Sequence, residues 1–110
     1  MKNKGYFRNK KVAVAGLARS GFASANLLCD LGAQVSVTDN QDNDSTRAYA
    51  LQLKSKNIKT EIGRHSQDFI RDKDLVVVSP GVPDTALPVV WARNNPLMFY
   101  GNLNGLELNW

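Results

Sequence analysis

The sequence predicts an α/β protein with a doubly wound, mainly parallel five-stranded sheet and helices on both faces. Three observations support this fold class. Short, nearly continuous apolar runs are typical of strands that are buried on both faces. These runs alternate with helix-like stretches, and the first run turns on glycine into the helix that follows it. Such an arrangement is Rossmann-like, and 110 residues suffice for a single domain of this kind.

Five strands are predicted, three from strong apolar patterns and two from weaker ones. The strong strands cover residues 12–15, 35–38 and 75–78, and the weaker ones cover 59–62 and 97–100.

Helices are predicted between these strands, over residues 20–31, about 45–57 and 87–94, with a short helical turn at 66–71. Gly32 is a helix stop signal. Asp44 with Ser45, and Asp84 with Thr85, are candidate caps for the second and last of the three helices.

Composition and charge narrow the partners that we expect. The formal charge of +4 comes largely from residues 1–10 and Lys11, which we interpret as a solvated basic tail. Such a charge is more compatible with an anionic small ligand than with nucleic acid.

Cys29 is the single cysteine, so no internal disulfide is expected, and its apolar helical setting favours a packing role. The sequence has no run of 18 apolar residues and no signal region, so we expect a cytoplasmic protein without a membrane partner.

The first strand runs into a loop bounded by Gly16 and Gly21. A strand that turns on glycine into a helix directs backbone N–H groups and the helix N-terminus at one spot, which attracts phosphate. The spacing approaches the dinucleotide motif G-x-G-x-x-G, with Ala18 at the second glycine. Ser20 is a candidate phosphate ligand and helix cap, and Arg19 is a candidate counter-charge. Strand–helix packing without a ligand is the alternative explanation of the glycines.

The same loop does not predict ATP hydrolysis by this chain. A Walker A motif needs Lys and then Ser or Thr after its last glycine, whereas Phe22 and Ala23 follow Gly21. His65, the single histidine, lacks companions at metal-ligand spacing, and we interpret it as a hydrogen-bonded loop residue. No nucleophile–base pair or carboxylate pair is evident, so we predict no catalytic residue and no metal site.

Two further strand ends are expected beside the glycine loop. Asp39 ends the second strand, 23 residues after Gly16, where an acidic residue commonly accepts hydrogen bonds from a ribose or a base; a turn-forming Asp is the alternative. The strand at 75–78 is followed by Ser79, a proline and Gly81, which would let a flat ring lie against the backbone. Because the carboxyl ends of parallel strands meet at one edge, the three loops predict a ligand crevice there.

Together these segments resemble a known family. The stretches Val14-Ala-Gly-Leu-Ala-Arg-Ser-Gly21, Val37-Thr-Asp39, Gly63-Arg-His65 and Leu75-Val-Val-Val-Ser-Pro-Gly-Val-Pro83 are similar to the N-terminal domain of the Mur ligases, and among them to the UDP-N-acetylmuramoyl-L-alanine:D-glutamate ligases of bacterial peptidoglycan synthesis. The similarity covers about residues 10–93 in unbroken order.

The resemblance implies that the domain holds UDP. Arg19, Ser20 and Gly21 would face the diphosphate, together with Gly16 and Ala18. Asp39 and Asn40 would flank one side of the uracil, and Gly81, after Ser79, the other. Gln41 stands where the family often has a basic residue, so the sequence departs from the family pattern at a third position beside the uracil.

The resemblance also implies what this chain would not do alone. Family members phosphorylate a carboxyl group with ATP and magnesium and then attach D-glutamate, using a central ATPase domain and a C-terminal ligase domain that we do not find in residues 1–110. Residues 94–110 depart from the family pattern. Two alternatives remain open: an NAD-binding Rossmann domain of a dehydrogenase or sensor, and a non-catalytic interaction domain.

Overall fold

Five strands form one parallel sheet in the computed structural model, which describes residues 5–101. They are β1 (Lys11–Ala15), β2 (Gln34–Asp39), β3 (Lys59–Ile62), β4 (Leu75–Val78) and β5 (Phe99–Gly101). Their order in the sheet is β3–β2–β1–β4–β5. The chain therefore builds outward from β1 to β3, returns to the centre and adds β4 and β5 on the other side, and the predicted doubly wound parallel sheet is confirmed.

Four helices cover the two faces of this sheet. They are α1 (Arg19–Asp30), α2 (Asp44–Gln52), α3 (Gln67–Arg71) and α4 (Leu87–Arg93). One apolar core lies under α1 and α2, and a second lies under α3 and α4. Within the described residues, no helix is long and apolar enough to cross a lipid bilayer.

The central strand contributes to both cores because its side chains alternate between the two faces of the sheet. Val12 and Val14 face the first core, and Ala13 and Ala15 face the second. All four are fully buried. The two alanines share the second core with Ile70 of α3 and Ala92 of α4.

Helix α2 is shorter than the predicted 45–57 and ends at Gln52. Leu53 leaves the helix with φ −58° and ψ 137°, and the N–H of Lys54 then donates to Asn26 Oδ1 on α1 at 2.8 Å. A contact with a neighbouring helix therefore ends α2. The helical spacing of apolar residues within 45–57 gives no information on such a contact, so it could not predict the end of α2.

Two helices begin at different caps from those predicted. Asn43 caps α2 in a reciprocal capping box with Thr46, whereas the sequence predicts Asp44 or Ser45. For α4, Ala86 occupies the cap position in place of Asp84 or Thr85, and a proline lies in its first turn.

Two other boundaries concern turns. Gly32 follows α1 with φ of +88°, so the predicted helix stop is confirmed. Strand β5 begins two residues later than the predicted 97–100, because a turn at Asn95 occupies the preceding residues: Asn95 Oδ1 accepts from Leu97 N at 3.0 Å, and its carbonyl accepts from Met98 N at 3.1 Å. The atypical segment 94–110 lies outside the described residues from position 102 onward.

The N-terminal stretch is more than a solvated tail. Of residues 1–10 the structure describes 5–10. Residues 5–9 form turns, and Phe7 is completely buried in the core under α1 and α2. The N–H of Asn9 donates to the carbonyl of Gly32 at 2.9 Å, which ties this stretch to the turn after α1. An isolated aromatic among basic residues gives no periodic signal, so the sequence pattern did not identify Phe7 as a core residue.

Candidate functional site

A cleft of about 900 Å³ lies at the carboxyl ends of the strands. Such a crevice at the point where the strand order reverses is the usual ligand site of an open α/β sheet. Loops after four strands line it, with the residues Gly16, Ala18, Asp39, Asn40, Gln41, Arg64, His65, Ser79, Gly81, Val82, Pro83, Thr85, Ala86 and Leu87.

The glycine loop between β1 and α1 forms the floor of this cleft and is tightly packed. Gly16 has φ of +99°, which favours glycine, and its N–H donates to the Thr38 carbonyl at 2.8 Å. A Cβ on Gly21 would lie 1.7 Å from the carbonyl oxygen of Gly16. Both glycines are therefore required by the packing of the loop, whatever ligand it binds.

The N-terminus of α1 opens from the same loop without a side-chain cap. Ala18 occupies the cap position and makes no side-chain cap hydrogen bond, so the predicted capping role of Ser20 is wrong. Arg19 and Ser20 are exposed in the first turn. The first N–H groups of a 12-residue helix with no capping side chain remain available to an anion.

Asp39 connects the loops around the cleft. Its Oδ2 accepts from the N–H of Leu17 at 2.7 Å and its Oδ1 accepts from the N–H of Gln41 at 2.8 Å. Its backbone carbonyl accepts from Gly63 N at 2.8 Å. The carboxylate therefore fixes the glycine loop against β2 as well as lining the cleft, a role that the sequence analysis does not include.

The opposite wall follows β4. The N–H of Ser79 donates to the Ala15 carbonyl at 3.0 Å, and its hydroxyl donates to the Gly16 carbonyl at 3.1 Å. Gly81 is exposed, and a Cβ there would meet nothing within 4 Å. Val82, Pro83, Ala86 and Leu87 continue this wall as a mostly apolar surface, suited to a flat ring.

A histidine completes the polar wall. His65 Nδ1 lies 2.7 Å from the hydroxyl of Thr38, a fully buried side chain, so the predicted hydrogen-bonded loop histidine is confirmed. Burial lowers the pKa of His65 from its ordinary value, and the carboxylates of Asp39 and Glu61 partly oppose that shift. The lowered pKa favours the uncharged imidazole.

The loop that carries His65 is held by Glu61 at the end of β3. Its two carboxylate oxygens accept from the N–H and the hydroxyl of Ser66, each at 2.7 Å. Arg64 Nε lies 3.7 Å from the same carboxylate, although the arginine side chain is 73% exposed. The bonds to Ser66 fix the backbone after His65. Before it, the carbonyl of Arg64 accepts from the Thr38 hydroxyl at 3.3 Å, while the guanidinium of Arg64 stays accessible from the cleft.

Six of the nine predicted ligand residues line the cleft together, namely Gly16, Ala18, Asp39, Asn40, Ser79 and Gly81. Arg19, Ser20 and Gly21 are not part of the lining; the first two lie exposed at the helix start, and the third packs against the loop. The sequence analysis assigns no ligand contact to Arg64, His65 or the apolar wall, although Gly63-Arg-His65 is among the segments that resemble the family.

Solved structures of two dehydrogenases share the fold. A shikimate dehydrogenase from Aquifex aeolicus is 13% identical with a TM-score of 0.56, and the match covers 91% of this chain and 45% of that one. A UDP-glucose dehydrogenase from Pyrobaculum islandicum is 22% identical with a TM-score of 0.53, covering 66% and 18% respectively. At these identities the likeness concerns the Rossmann-like fold alone.

Curated relatives are closer in sequence. UDP-N-acetylmuramoylalanine–D-glutamate ligases from Geotalea daltonii and Staphylococcus epidermidis are 42% and 39% identical over 86 and 102 residues, or 78% and 93% of this chain. The matches span only 19% and 22% of the length of those relatives. The family model described as "Mur ligase MurD-like, N-terminal domain" matches residues 10–97. The chain therefore belongs to the family of MurD-like N-terminal domains of the Mur ligases.

Proposed function

We propose that this chain binds the UDP part of UDP-N-acetylmuramoyl-L-alanine, as the first domain of an ATP-dependent ligase that adds D-glutamate in peptidoglycan precursor synthesis. The observation that carries the proposal is the cleft at which the glycine loop, Asp39 and Gly81 meet. Membership of a ligase domain family and relatives named as D-glutamate ligases support the substrate class.

We assign the diphosphate to the start of α1 because of its negative charge. The exposed, uncapped N-terminus of this helix favours an anion, and Gly16 and Ala18 bring the floor of the cleft to it. Arg19 is exposed and makes no ion pair with any residue between 5 and 101. Its guanidinium, the Ser20 hydroxyl and the N–H of Gly21 are the donors that would reach phosphate oxygens.

We assign the uracil to the space between the two walls of the cleft. Asp39 and Asn40 line one wall, and Gly81 lines the other beside Ser79. The open space at Gly81 accepts a planar ring against the backbone. The apolar surface that follows Gly81 would bury the ring's faces.

The ligation chemistry is assigned to parts of the full-length ligase beyond this domain. ATP and Mg²⁺ do not fit the residues described: Gly21 packs against Gly16 and is followed by Phe22 and Ala23, and residues 5–101 contain no group of three His, Cys, Asp or Glu side chains able to hold a metal ion. The chain by itself should therefore bind the uridine nucleotide in the cytoplasm without attaching D-glutamate to it.

Thermal unfolding with added ligand tests this proposal. UDP and UDP-N-acetylmuramoyl-L-alanine should raise the melting temperature, because ligand at 100 times its Kd adds about 2.7 kcal/mol to the free energy of unfolding. NAD at the same concentration should have no comparable effect. Stabilisation by NAD but not by uridine nucleotides would identify a dinucleotide domain instead, and no shift with any of the three would favour an interaction domain.

Replacing Asp39 tests the cleft itself. The change Asp39→Ala should weaken UDP binding at least tenfold and also lower the free energy of unfolding by about 2 kcal/mol, because the N–H groups of Leu17 and Gln41 lose a charged acceptor. Asp39→Asn retains one acceptor oxygen, so its UDP affinity and its free energy of unfolding should lie between those of the unchanged chain and those of Asp39→Ala. Isothermal titration calorimetry and urea unfolding measure the two effects separately. Unchanged UDP affinity in a folded Asp39→Ala variant would remove this residue from the site.

A further inference from the structure

The polar wall of the cleft contains an aromatic donor–acceptor that the proposed function leaves without a role. His65 lines the cleft, and its Nδ1 is occupied by the Thr38 hydroxyl at 2.7 Å. Thr38 is fully buried in β2, so it is a rigid anchor for the ring. With Nδ1 engaged, the second ring nitrogen, Nε2, is the atom left to hydrogen-bond a ligand.

The charges around His65 indicate which part of a nucleotide it meets. Asp39 and Glu61 are the carboxylates that act on the ring, and Arg64 is the neighbouring cation, 3.7 Å from Glu61. This end of the cleft therefore repels phosphate more than the uncapped start of α1 does. A neutral imidazole beside a carboxylate suits an uncharged, hydrogen-bonding group such as a nucleobase edge or a ribose hydroxyl.

We infer that His65 is a specificity-determining residue of the site, which contacts the uncharged nucleoside end of the bound nucleotide through Nε2 while Thr38 holds Nδ1. The inference rests on the proposed function and assigns to it one further residue on the nucleoside side. Thr38 is a positioning residue, since it acts through the imidazole and is itself buried.

Two substitutions at one position separate ligand contact from structural support. An Asn amide nitrogen lies near the Nδ1 position of histidine, and a Gln amide nitrogen lies near the Nε2 position. His65→Asn should keep the bond to Thr38 and lose the ligand contact, which weakens UDP binding about tenfold. His65→Gln should retain UDP affinity within about threefold. Lys56→Ala, at an exposed position away from the cleft, is the matched control and should bind UDP as the unchanged chain does.

Proton NMR supplies a readout that a purely structural role would not change. Because the chain has one histidine, the ring protons of His65 are assigned without ambiguity in the untagged protein. We expect UDP and uridine monophosphate to shift these resonances, and inorganic diphosphate to leave them in place. A shift with inorganic diphosphate alone would place a phosphate at His65 and overturn the inference.

The outcomes distinguish this inference from the function on which it rests. If the unchanged chain binds UDP but His65→Asn binds it equally well, the role of His65 is wrong and the UDP site stands. Equal losses of affinity in the Asn and Gln variants, with equal losses of stability, would also reduce His65 to a structural residue. If the unchanged chain does not bind UDP in calorimetry, the proposed function fails and the role of His65 fails with it.

Discussion

The Gly21→Ala variant is expected to lose about 3 kcal/mol of its free energy of unfolding, together with its UDP binding. The added Cβ would lie 1.7 Å from the carbonyl oxygen of Gly16 and 2.9 Å from the hydroxyl of Ser79. The nearer atom is backbone, so it cannot rotate away, and α1 must move relative to β1. That movement displaces the helix N-terminus that we assign to the diphosphate. Urea unfolding measures the first effect and UDP titration the second.

Gly81→Ala is the matched control, because it adds the same methyl group on the other side of the cleft. Nothing lies within 4 Å of the Cβ position at Gly81, so we expect the free energy of unfolding to change by less than about 0.5 kcal/mol. A Gly21→Ala variant as stable as Gly81→Ala would show that the glycine loop can relax, and would contradict the rigid floor described above.

The Phe7→Ala variant should lose about 3–5 kcal/mol of stability, since deletion of a buried phenyl ring leaves a cavity. Phe7 is 0% exposed and belongs to the core under α1 and α2. With a total stability of roughly 5–15 kcal/mol for a natural domain, this single change would leave the chain only marginally folded. The midpoint of urea unfolding checks it.

Leu51→Ala provides the comparison for Phe7→Ala. Leu51 is 88% exposed on α2, and leucine and alanine are both good helix formers, so its truncation should be nearly neutral. If Phe7→Ala were equally neutral, residues 5–10 would not contribute to the core and would behave as a solvated basic tail.

The arrangement of strands and helices was predictable because buried parallel strands have a strong local pattern. Residues 75–78 were predicted at their observed bounds, and 12–15 and 35–38 to within one residue at each end. The end of α2 was not predictable, since the bond from Lys54 to Asn26 joins two helices. Phe7 was missed for the same reason: its burial depends on distant residues.

The position of the candidate cleft was predictable for those lining residues that stand at strand ends. Asp39, Ser79 and Gly81 meet at the cleft, as the topology of a parallel sheet requires. Asp39 also fixes the glycine loop against β2, because its carboxylate accepts from the amide of Leu17, 22 positions away in the sequence. No local pattern carries that information. His65 was not predicted to line the cleft. Its hydrogen bond with Thr38 joins residues 27 positions apart, which only the folded chain brings into contact.

Hydrogen bonds of the sheet continue past the ends of the strands into the walls of the cleft. The amides of Gly16, Gly63 and Ser79 all donate to carbonyls of the central strands or their ends, at 2.8–3.0 Å. The walls of the candidate cleft are therefore preorganised, and a nucleotide bound there should lose little conformational entropy of the protein. Affinity at such a site is set mainly by the complementarity of the nucleotide to a shape that exists before it arrives.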